Sequence, residues 1–249
     1  MIMILGGTSD SYDVALRLDE LKIDYFIFVT TKYGYEIIKN LRGIKKLTKL
    51  DYDDMVDFIK LNNINILLDF THPYAIEASK NAIKACDNTD IKYIRYERKS
   101  LKLPKYDRYY MVKDYDESIN IANKIGQKIF LSTGSKTLDL YVNNLESKKI
   151  YARVLPTKEV IEKCYDLGLL ADQIIAMKGP FDEELNNSMF KFLDVDTLIT
   201  KESGQKGGYL EKINAGIKNN LNIIIIKRQT LDYKNIYNEI DDVIDILEG

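Results

Sequence analysis

The stretch MIMILGGTSDSYDVALRLDEL, residues 1–21, decides the fold. Its first five residues form a short apolar run, which is typical of a strand buried on both faces of a parallel sheet. Gly6 and Gly7 end that run, and residues 8–11 (TSDS) are all side chains that favour the N-cap of a helix. Apolar residues then recur at helical spacing from Val14. The stretch therefore predicts a strand, a glycine turn and a helix, the repeating unit of an open α/β sheet.

Such a turn presents the free N–H groups of a helix N-terminus to an anion, and glycine lets the ligand approach the main chain. We therefore take Gly6, Gly7, Thr8 and Ser9 as candidates for holding the pyrophosphate of a coenzyme. The dinucleotide fingerprint G-x-G-x-x-G is absent, however, and Asp10 is better explained as a helix cap than as a phosphate contact. An ordinary tight turn between strand and helix stays open as the alternative.

The composition limits the classes of protein to which the chain can belong. The chain of 249 residues fits one large or two small domains, and 36 Lys and Arg against 38 Asp and Glu give no overall attraction to nucleic acid. Cys86 and Cys164 lie far apart without a metal-binding spacing, so we expect reduced core thiols and no metal site. Without a basic leader or an apolar run near the roughly 20 residues of a membrane span, we expect a cytoplasmic protein.

Strands and helices alternate along the whole chain. Further strands are predicted at 25–29, 45–50, 64–70, 91–95, 109–112, 128–131, 150–155, 173–177, 197–200 and 223–226. Helices are predicted at 35–41, 53–61, 73–86, 115–125, 159–164, 182–192 and 233–247, with others behind residues 136 and 208. A charged segment, residues 96–110, contains Pro104 and marks the best domain junction. The pattern predicts an α/β protein with two similar halves.

In the first half, polar residues follow two predicted strands at the edge where open α/β sheets bind ligands. Thr31 and Lys32 stand where a dinucleotide fold usually places an acidic residue for the ribose, and Lys32 suits a 2′-phosphate unless it is merely solvated. His72, the only histidine of the chain, follows the strand at 64–70. It is a candidate for ligand contact or proton donation, or else a polar cap of the next helix, which we expect to begin at Pro73.

In the second half, basic residues lie at or near the ends of successive strands. The segment STGSK, 132–136, repeats the opening pattern, and Ser135 with Lys136 at a helix start fits anion binding. Arg153 lies inside an apolar strand, so it faces a cleft or has an acidic partner. Lys201 and Lys206 flank a glycine-rich loop, which either closes over a ligand or is a flexible connection.

Seven motifs, taken together and in order, resemble the precorrin-6A reductase family of cobalamin biosynthesis, which includes the cobalt-precorrin-6A reductases. They are LGGTSDS (5–11), DFTHPYA (69–75), RYER (95–98), STGSK (132–136), RVLP (153–156), KGPF (178–181) and TKESGQKGG (200–208). Each motif alone is weak, but their order and their placement at strand ends make the set specific.

The resemblance implies two Rossmann-like domains with mainly parallel sheets and exchanged terminal strands. Residues 1–98 would hold NADPH or NADH, and residues 99–249 would hold the tetrapyrrole through Ser135, Lys136, Arg153, Lys201 and Lys206. The implied reaction is reduction of a macrocycle double bond of precorrin-6A or cobalt-precorrin-6A to the 6B form, with transient contacts to neighbouring pathway enzymes. A regulatory module that senses a nucleotide without turnover is the alternative.

Overall fold

The computed structural model describes residues 1–145, 147–203, 208–229 and 231–248, and they alternate between strands and helices. The strands are β1 (Ile2–Leu5), β2 (Tyr25–Val29), β3 (Ile44–Leu47), β4 (Ile66–Asp69), β5 (Lys92–Tyr96), β6 (Tyr109–Val112), β7 (Lys128–Ser132), β8 (Lys149–Val154), β9 (Ile174–Ala176), β10 (Thr197–Lys201), β11 (Asn222–Ile226) and β12 (Ile236–Tyr237). The helices are α1 (Ser9–Glu20), α2 (Lys32–Ile38), α3 (Tyr52–Leu61), α4 (Ile76–Thr89), α5 (Tyr115–Ile125), α6 (Leu138–Asn144), α7 (Lys158–Asp166), α8 (Glu183–Leu193), α9 (Tyr209–Lys218) and α10 (Ile240–Glu248), with short 3-10 turns at Ser135–Thr137 and Ala171–Gln173.

The strands form two six-stranded sheets with the same connectivity. The first has the order β3-β2-β1-β4-β5-β12 and the second has the order β9-β8-β7-β10-β11-β6. The strand pairs run parallel throughout both sheets. The order reverses between β1 and β4 in one sheet and between β7 and β10 in the other, which is where such sheets bind ligands. The predicted α/β fold with parallel sheets is confirmed.

The two units exchange their outermost strands along the chain. One unit comprises Met1–Lys99 with Gln229–Gly249, and the other comprises Ser100–Arg228. After β5 the chain contributes β6 to the second sheet, and after β11 it contributes β12 to the first sheet. The exchange expected from the resemblance is therefore present. The predicted division into 1–98 and 99–249 differs from this structure, because the segment from residue 229 returns to the first unit.

The return of the chain also corrects the last predicted helix. A helix over 233–247 was expected, but β12 occupies Ile236–Tyr237 and α10 begins only at Ile240. The main chain at this point pairs with β5: the N–H of Arg95 donates to the carbonyl of Asn235 at 2.8 Å, and the N–H of Glu97 donates to that of Tyr237 at 2.9 Å. The pattern of apolar residues reports local structure, so it cannot reveal a pairing partner about 140 residues away.

Central strand β1 is buried on both faces, which explains its continuous apolar sequence. Ile2 and Ile4 belong to a cluster that includes the apolar side of α1 and the buried residues of α10. Met3 and Leu5 belong to a second cluster, on the opposite face, with residues of α3 and α4. Both cysteines are buried free thiols. In the described part of the chain, no helix combines the length and apolar character needed to cross a membrane.

Removing buried contacts from α10 is expected to loosen the first unit specifically. Ile244 is 2% exposed within the α1 cluster, so Ile244→Ala should lower the free energy of unfolding by about 2–5 kcal/mol. Hydrogen exchange should rise in α1 and β5 but not in β7 and β10. The exposed neighbour substitution Asp245→Ala serves as the control, with a change within roughly 0.5 kcal/mol. Equal loosening of β7 would contradict the placement of α10.

Candidate functional site

The glycine turn after β1 forms an open helix N-terminus. Gly7 is exposed, has φ +128°, and a Cβ built on it would meet no atom within 4 Å. Thr8 is the N-cap of α1: its Oγ1 accepts a hydrogen bond from the Ser11 N–H at 3.2 Å, and Ser11 Oγ accepts one from the Gly7 N–H at 3.2 Å. A ligand can therefore approach the main chain at Gly7, beside the positive end of a twelve-residue helix.

The turn is fixed to the ends of the neighbouring strands. Thr8 Oγ1 donates to the carbonyl of Phe70 at 2.9 Å, across the point where the strand order reverses. Gly6 packs closely against β2, since a Cβ there would lie 3.1 Å from the Phe28 carbonyl oxygen and 3.1 Å from Ser11 Oγ. The two glycines thus have different roles: Gly6 permits packing, and Gly7 permits a backbone conformation with positive φ.

Asp10 does not act as the helix cap that the sequence suggested. The cap is Thr8, and the Asp10 carboxylate instead pairs with Arg98, whose Nε lies 2.6 Å from Asp10 Oδ2. Arg98 Nη2 also donates to Ser9 Oγ at 2.8 Å. The guanidinium offsets the negative charge near the turn, so Asp10 does not oppose an anion as strongly as its position in the sequence implies.

Thr31 and Lys32 follow β2, the strand next to β1. Thr31 is the N-cap of α2, where its Oγ1 accepts from the Gly34 N–H at 3.0 Å. Lys32 is the first residue of that helix and is exposed. The helix therefore begins three residues before its predicted start at Tyr35, and Lys32 presents its charge at the same edge of the sheet as Gly7.

A buried ion pair organises the ends of β4 and β5. Asp69 and Arg95 are both 0% exposed, and Arg95 Nη1 lies 2.9 Å from Asp69 Oδ1. Arg95 also donates to the carbonyl and hydroxyl oxygens of Thr71, both at 3.1 Å. Asp69 Oδ2 accepts from Ser79 at 2.6 Å and from Tyr93 at 2.7 Å. Every one of these bonds restrains the segment that leaves β4.

His72 stands in that segment and is exposed. Its Nδ1 accepts from the Tyr74 N–H at 3.4 Å, and the two rings are tilted with centroids 5.5 Å apart. The predicted helix start at Pro73 is wrong, because residues 73–74 form a turn and α4 begins at Ile76 after the N-cap residue Ala75. His72 therefore lies in a loop that precedes the helix, at the ligand-binding edge of the first sheet.

In the second unit, Lys136 and Lys201 come together. Lys136 is exposed in the 3-10 turn after β7, and Lys201 ends β10, the neighbouring strand. Burial, together with the positive charge of Lys136, lowers the pKa of Lys201 to about 8. Its Nζ lies 5.3 Å from the centre of the Tyr115 ring. Ser135 shares the turn, and its carbonyl accepts from Lys163 at 2.9 Å. Lys206 lies outside the described residues.

Among the described residues Arg153 forms no ion pair, although the sequence left an acidic partner open. Its Nη1 donates to Asn186 Oδ1 at 2.7 Å, and its guanidinium carbon lies 4.2 Å from the centre of the Phe181 ring. Burial lowers the pKa of Arg153 to about 10. The positive charge of Arg153 in turn lowers the pKa of a second cation, Lys212 of α9, which is 6% exposed.

Sequence reasoning missed Asp69, Arg95, Asn186 and Lys212. A signal existed for Arg95, because a charged residue inside an apolar strand is the feature that marked Arg153. No comparable signal existed for Lys212, which occupies an ordinary position in an amphipathic helix. Its burial depends on how α9 packs within the second unit.

Comparison with known proteins agrees with the fold of two parallel sheets described above. Residues 1–248 match the profile of the family described as "Precorrin-6x reductase CbiJ/CobK". The chain belongs to this family. A cobalt-precorrin-6A reductase of Priestia megaterium is 36% identical over 99% of this chain and 98% of the relative. One of Methanocaldococcus jannaschii is 38% identical over 98% and 96%. A solved structure described as CobK precorrin-6A reductase shares the precorrin-6x reductase fold, with a TM-score of 0.81 at 19% identity, covering 99% and 96% of the chains.

Removing the buried guanidinium should destabilise this member of the precorrin-6x reductase family strongly. Arg95→Met leaves the Asp69 carboxylate buried without its counter-charge, at an expected cost of about 3–5 kcal/mol in the free energy of unfolding. Burial then raises the pKa of Asp69 above its unfolded value, so the stabilising protonated form is lost as pH rises. The destabilisation measured by urea unfolding should be larger at about pH 7 than at about pH 5.

Lys92→Met provides the matched control, because Lys92 is an exposed cation on the same strand. We expect it to change the free energy of unfolding by no more than roughly 0.5 kcal/mol at either pH. A loss equal to that of Arg95→Met would show that charge on β5, and not the buried pair, is what matters.

Proposed function

We propose that this chain reduces one double bond of the precorrin-6A or cobalt-precorrin-6A macrocycle to give the 6B form, in cobalamin biosynthesis, with NADPH or NADH as the coenzyme. The observation that carries the proposal is the match along nearly the whole chain to relatives named cobalt-precorrin-6A reductase. The chemistry of the loops in each unit supports it, because one unit offers an open helix N-terminus and the other offers clustered cations.

The first unit suits a nicotinamide coenzyme. Gly7 leaves space for a pyrophosphate at the N-terminus of α1, with Gly6, Thr8 and Ser9 completing the turn. Lys32, beside Thr31 at the end of the adjacent strand, suits a 2′-phosphate and favours NADPH. A bound coenzyme supplies the hydride. The protein contributes binding and orientation, and Arg98 reduces the repulsion that Asp10 would exert on the phosphates.

The second unit suits a ring that carries many carboxylates. Lys136 and Lys201 place two cations at the reversal point of the second sheet, with Ser135 in the same turn. Arg153 adds a planar guanidinium that can bind a carboxylate through two parallel hydrogen bonds. Lys201 is charged below its pKa of about 8, so it attracts a carboxylate near neutral pH. We assign Lys206 to this set from its place in the glycine-rich loop.

Reduction of a double bond needs a proton as well as the hydride: the hydride forms one new C–H bond and the proton completes the neighbouring atom. We assign proton donation to His72. Its Nδ1 accepts a backbone hydrogen bond, which in the neutral ring places the proton on Nε2. The proton donor is the protonated ring, which gives up its Nε2 proton and recovers one from solvent.

Steady-state oxidation of NADPH and NADH with each ring substrate tests the activity. The wild-type protein should consume coenzyme only when the tetrapyrrole is present, whereas coenzyme binding without turnover would favour a regulatory module. His72→Asn should lower kcat by about a hundredfold or more and change the melting temperature little. Unchanged turnover with lower thermal stability would reduce His72 to a structural residue of the loop.

Coenzyme binding can be separated from backbone strain by two matched glycine substitutions. Gly7 and Gly168 are both exposed, both have positive φ, and a Cβ on either meets no atom within 4 Å. Gly7→Ala and Gly168→Ala should therefore each lower the free energy of unfolding by about 1–3 kcal/mol. Only Gly7→Ala should weaken NAD(P)H binding, by about tenfold or more, because its methyl group occupies the path of the phosphate. Equal affinities in calorimetric titrations would move the coenzyme elsewhere.

A further inference from the structure

Two cations of the second unit lie beside each other: Lys212 is buried and Arg153 is partly buried. Arg153 projects from β8, and Lys212 lies in the first turns of α9 with only 6% of its surface exposed. Burial and the positive charge of Arg153 together lower the pKa of Lys212 to about 7. Burying like charges together is costly unless an anion is provided.

The protein provides no such anion from the residues that the structure describes. Neither Arg153 nor Lys212 forms an ion pair with any described carboxylate. Glu183, which α8 presents toward α9, already pairs with Lys218 and accepts a hydrogen bond from Asn214. The loop before α9, residues 202–208 (ESGQKGG), carries one acid, Glu202, whose Oε2 accepts a hydrogen bond from the Arg228 N–H at 3.4 Å.

The guanidinium of Arg153 is held in place by its neighbours, and most of its N–H groups form no hydrogen bond within the described residues. Its carbon lies 4.2 Å from the centre of the Phe181 ring and 5.2 Å from that of Phe130, and Nη1 donates to Asn186. Asn186 is itself fully buried and anchored by donation to the carbonyl of Asp182 at 2.6 Å. The aromatic rings fix the plane of the guanidinium, while its other N–H groups make no hydrogen bond within the described residues.

The end of α9 that carries Lys212 is packed onto the same segment. Gly208 precedes the helix with φ +65°, and a Cβ there would lie 3.0 Å from the carbonyl oxygen of Phe181. This close contact brings the start of α9 against the residue that stacks on Arg153. The fold therefore places the first turn of α9, in which the Lys212 N–H donates to the Gly208 carbonyl at 3.3 Å, against the residue whose ring stacks on Arg153.

We propose that Arg153 and Lys212 form a carboxylate site, in which one carboxylate of the substrate completes a pair of cations that no acid among the described residues neutralises. Arg153 contributes paired N–H donors and Lys212 contributes a compact ammonium. The identity of the ligand as a tetrapyrrole carboxylate rests on the proposed function, whereas the site itself rests on the buried Lys212 beside the partly buried Arg153.

The test uses the opposite effects of Lys212→Met on stability and on binding. Removing a buried charge that no described acid neutralises should raise the melting temperature of the ligand-free protein. Affinity for precorrin-6A should fall about tenfold to a hundredfold, because a charged hydrogen bond is lost. NAD(P)H affinity should not change. In Arg153→Met with Lys212→Met, the combined loss of affinity should differ from the sum of the single losses, since both bind one group.

Lys218→Met, on the exposed part of the same helix, is the control and should leave both affinities unchanged. A lower melting temperature with unchanged tetrapyrrole affinity in Lys212→Met would make the lysine structural and overturn the site. Unchanged tetrapyrrole affinity overturns it whatever the stability, as does a loss confined to NAD(P)H. Lys212→Gln repeats the measurement with a polar side chain if the methionine variant does not fold.

Citrate separates this inference from the proposed function. At matched ionic strength, citrate should raise the melting temperature of the wild-type protein more than that of Lys212→Met, because it offers carboxylates to the site. If wild-type protein responds to citrate but neither binds nor reduces precorrin-6A, the proposed function fails and the carboxylate site stands. If citrate stabilises both proteins equally, the site fails.

Discussion

The ion pair between Asp69 and Arg95 is the interaction on which the first unit depends. Two charges with no solvent exposure are tolerable only when their remaining hydrogen-bonding groups are satisfied. Burial alone would raise the pKa of Asp69, but Arg95 and hydrogen bonds from Ser79, Thr71 and Tyr93 outweigh it and leave that pKa lowered. The carboxylate stays ionised, and together with Arg95 it anchors Thr71, the residue before His72.

The returning end of the chain completes this environment. The ring of Tyr233 lies 5.4 Å from the guanidinium carbon of Arg95, and the carbonyl of Asn235 accepts the Arg95 N–H. The two units therefore differ in whether their cations are paired with an acid. The first pairs its buried cation with an acid of its own, which gives rigidity, whereas the second leaves Arg153 and Lys212 without one in the described residues, which fits binding of an anion.

The sequence predicted those elements that depend only on residues close to one another in the chain. The apolar run of β1, the glycine turn and the capped start of α1 were all recognisable, because their residue types dictate backbone conformation directly. The pairing of β12 with β5 was not recognisable, because it depends on hydrogen bonds between segments about 140 residues apart. For the same reason, Lys201 beside Lys136 could be suspected from strand ends, but Lys212 beside Arg153 required the packing of α9 within its unit.

The exchanged strands have a consequence for how the chain is made. Ser100–Arg228 is continuous, so every strand of its sheet is translated before the segment from Gln229 that carries β12 and α10. The amino-terminal sheet, although it begins first, must wait for β12 and α10 to close its edge and cover Arg95. Vectorial synthesis therefore completes the two units in the reverse of their order in the gene, and no single cut can release both of them whole.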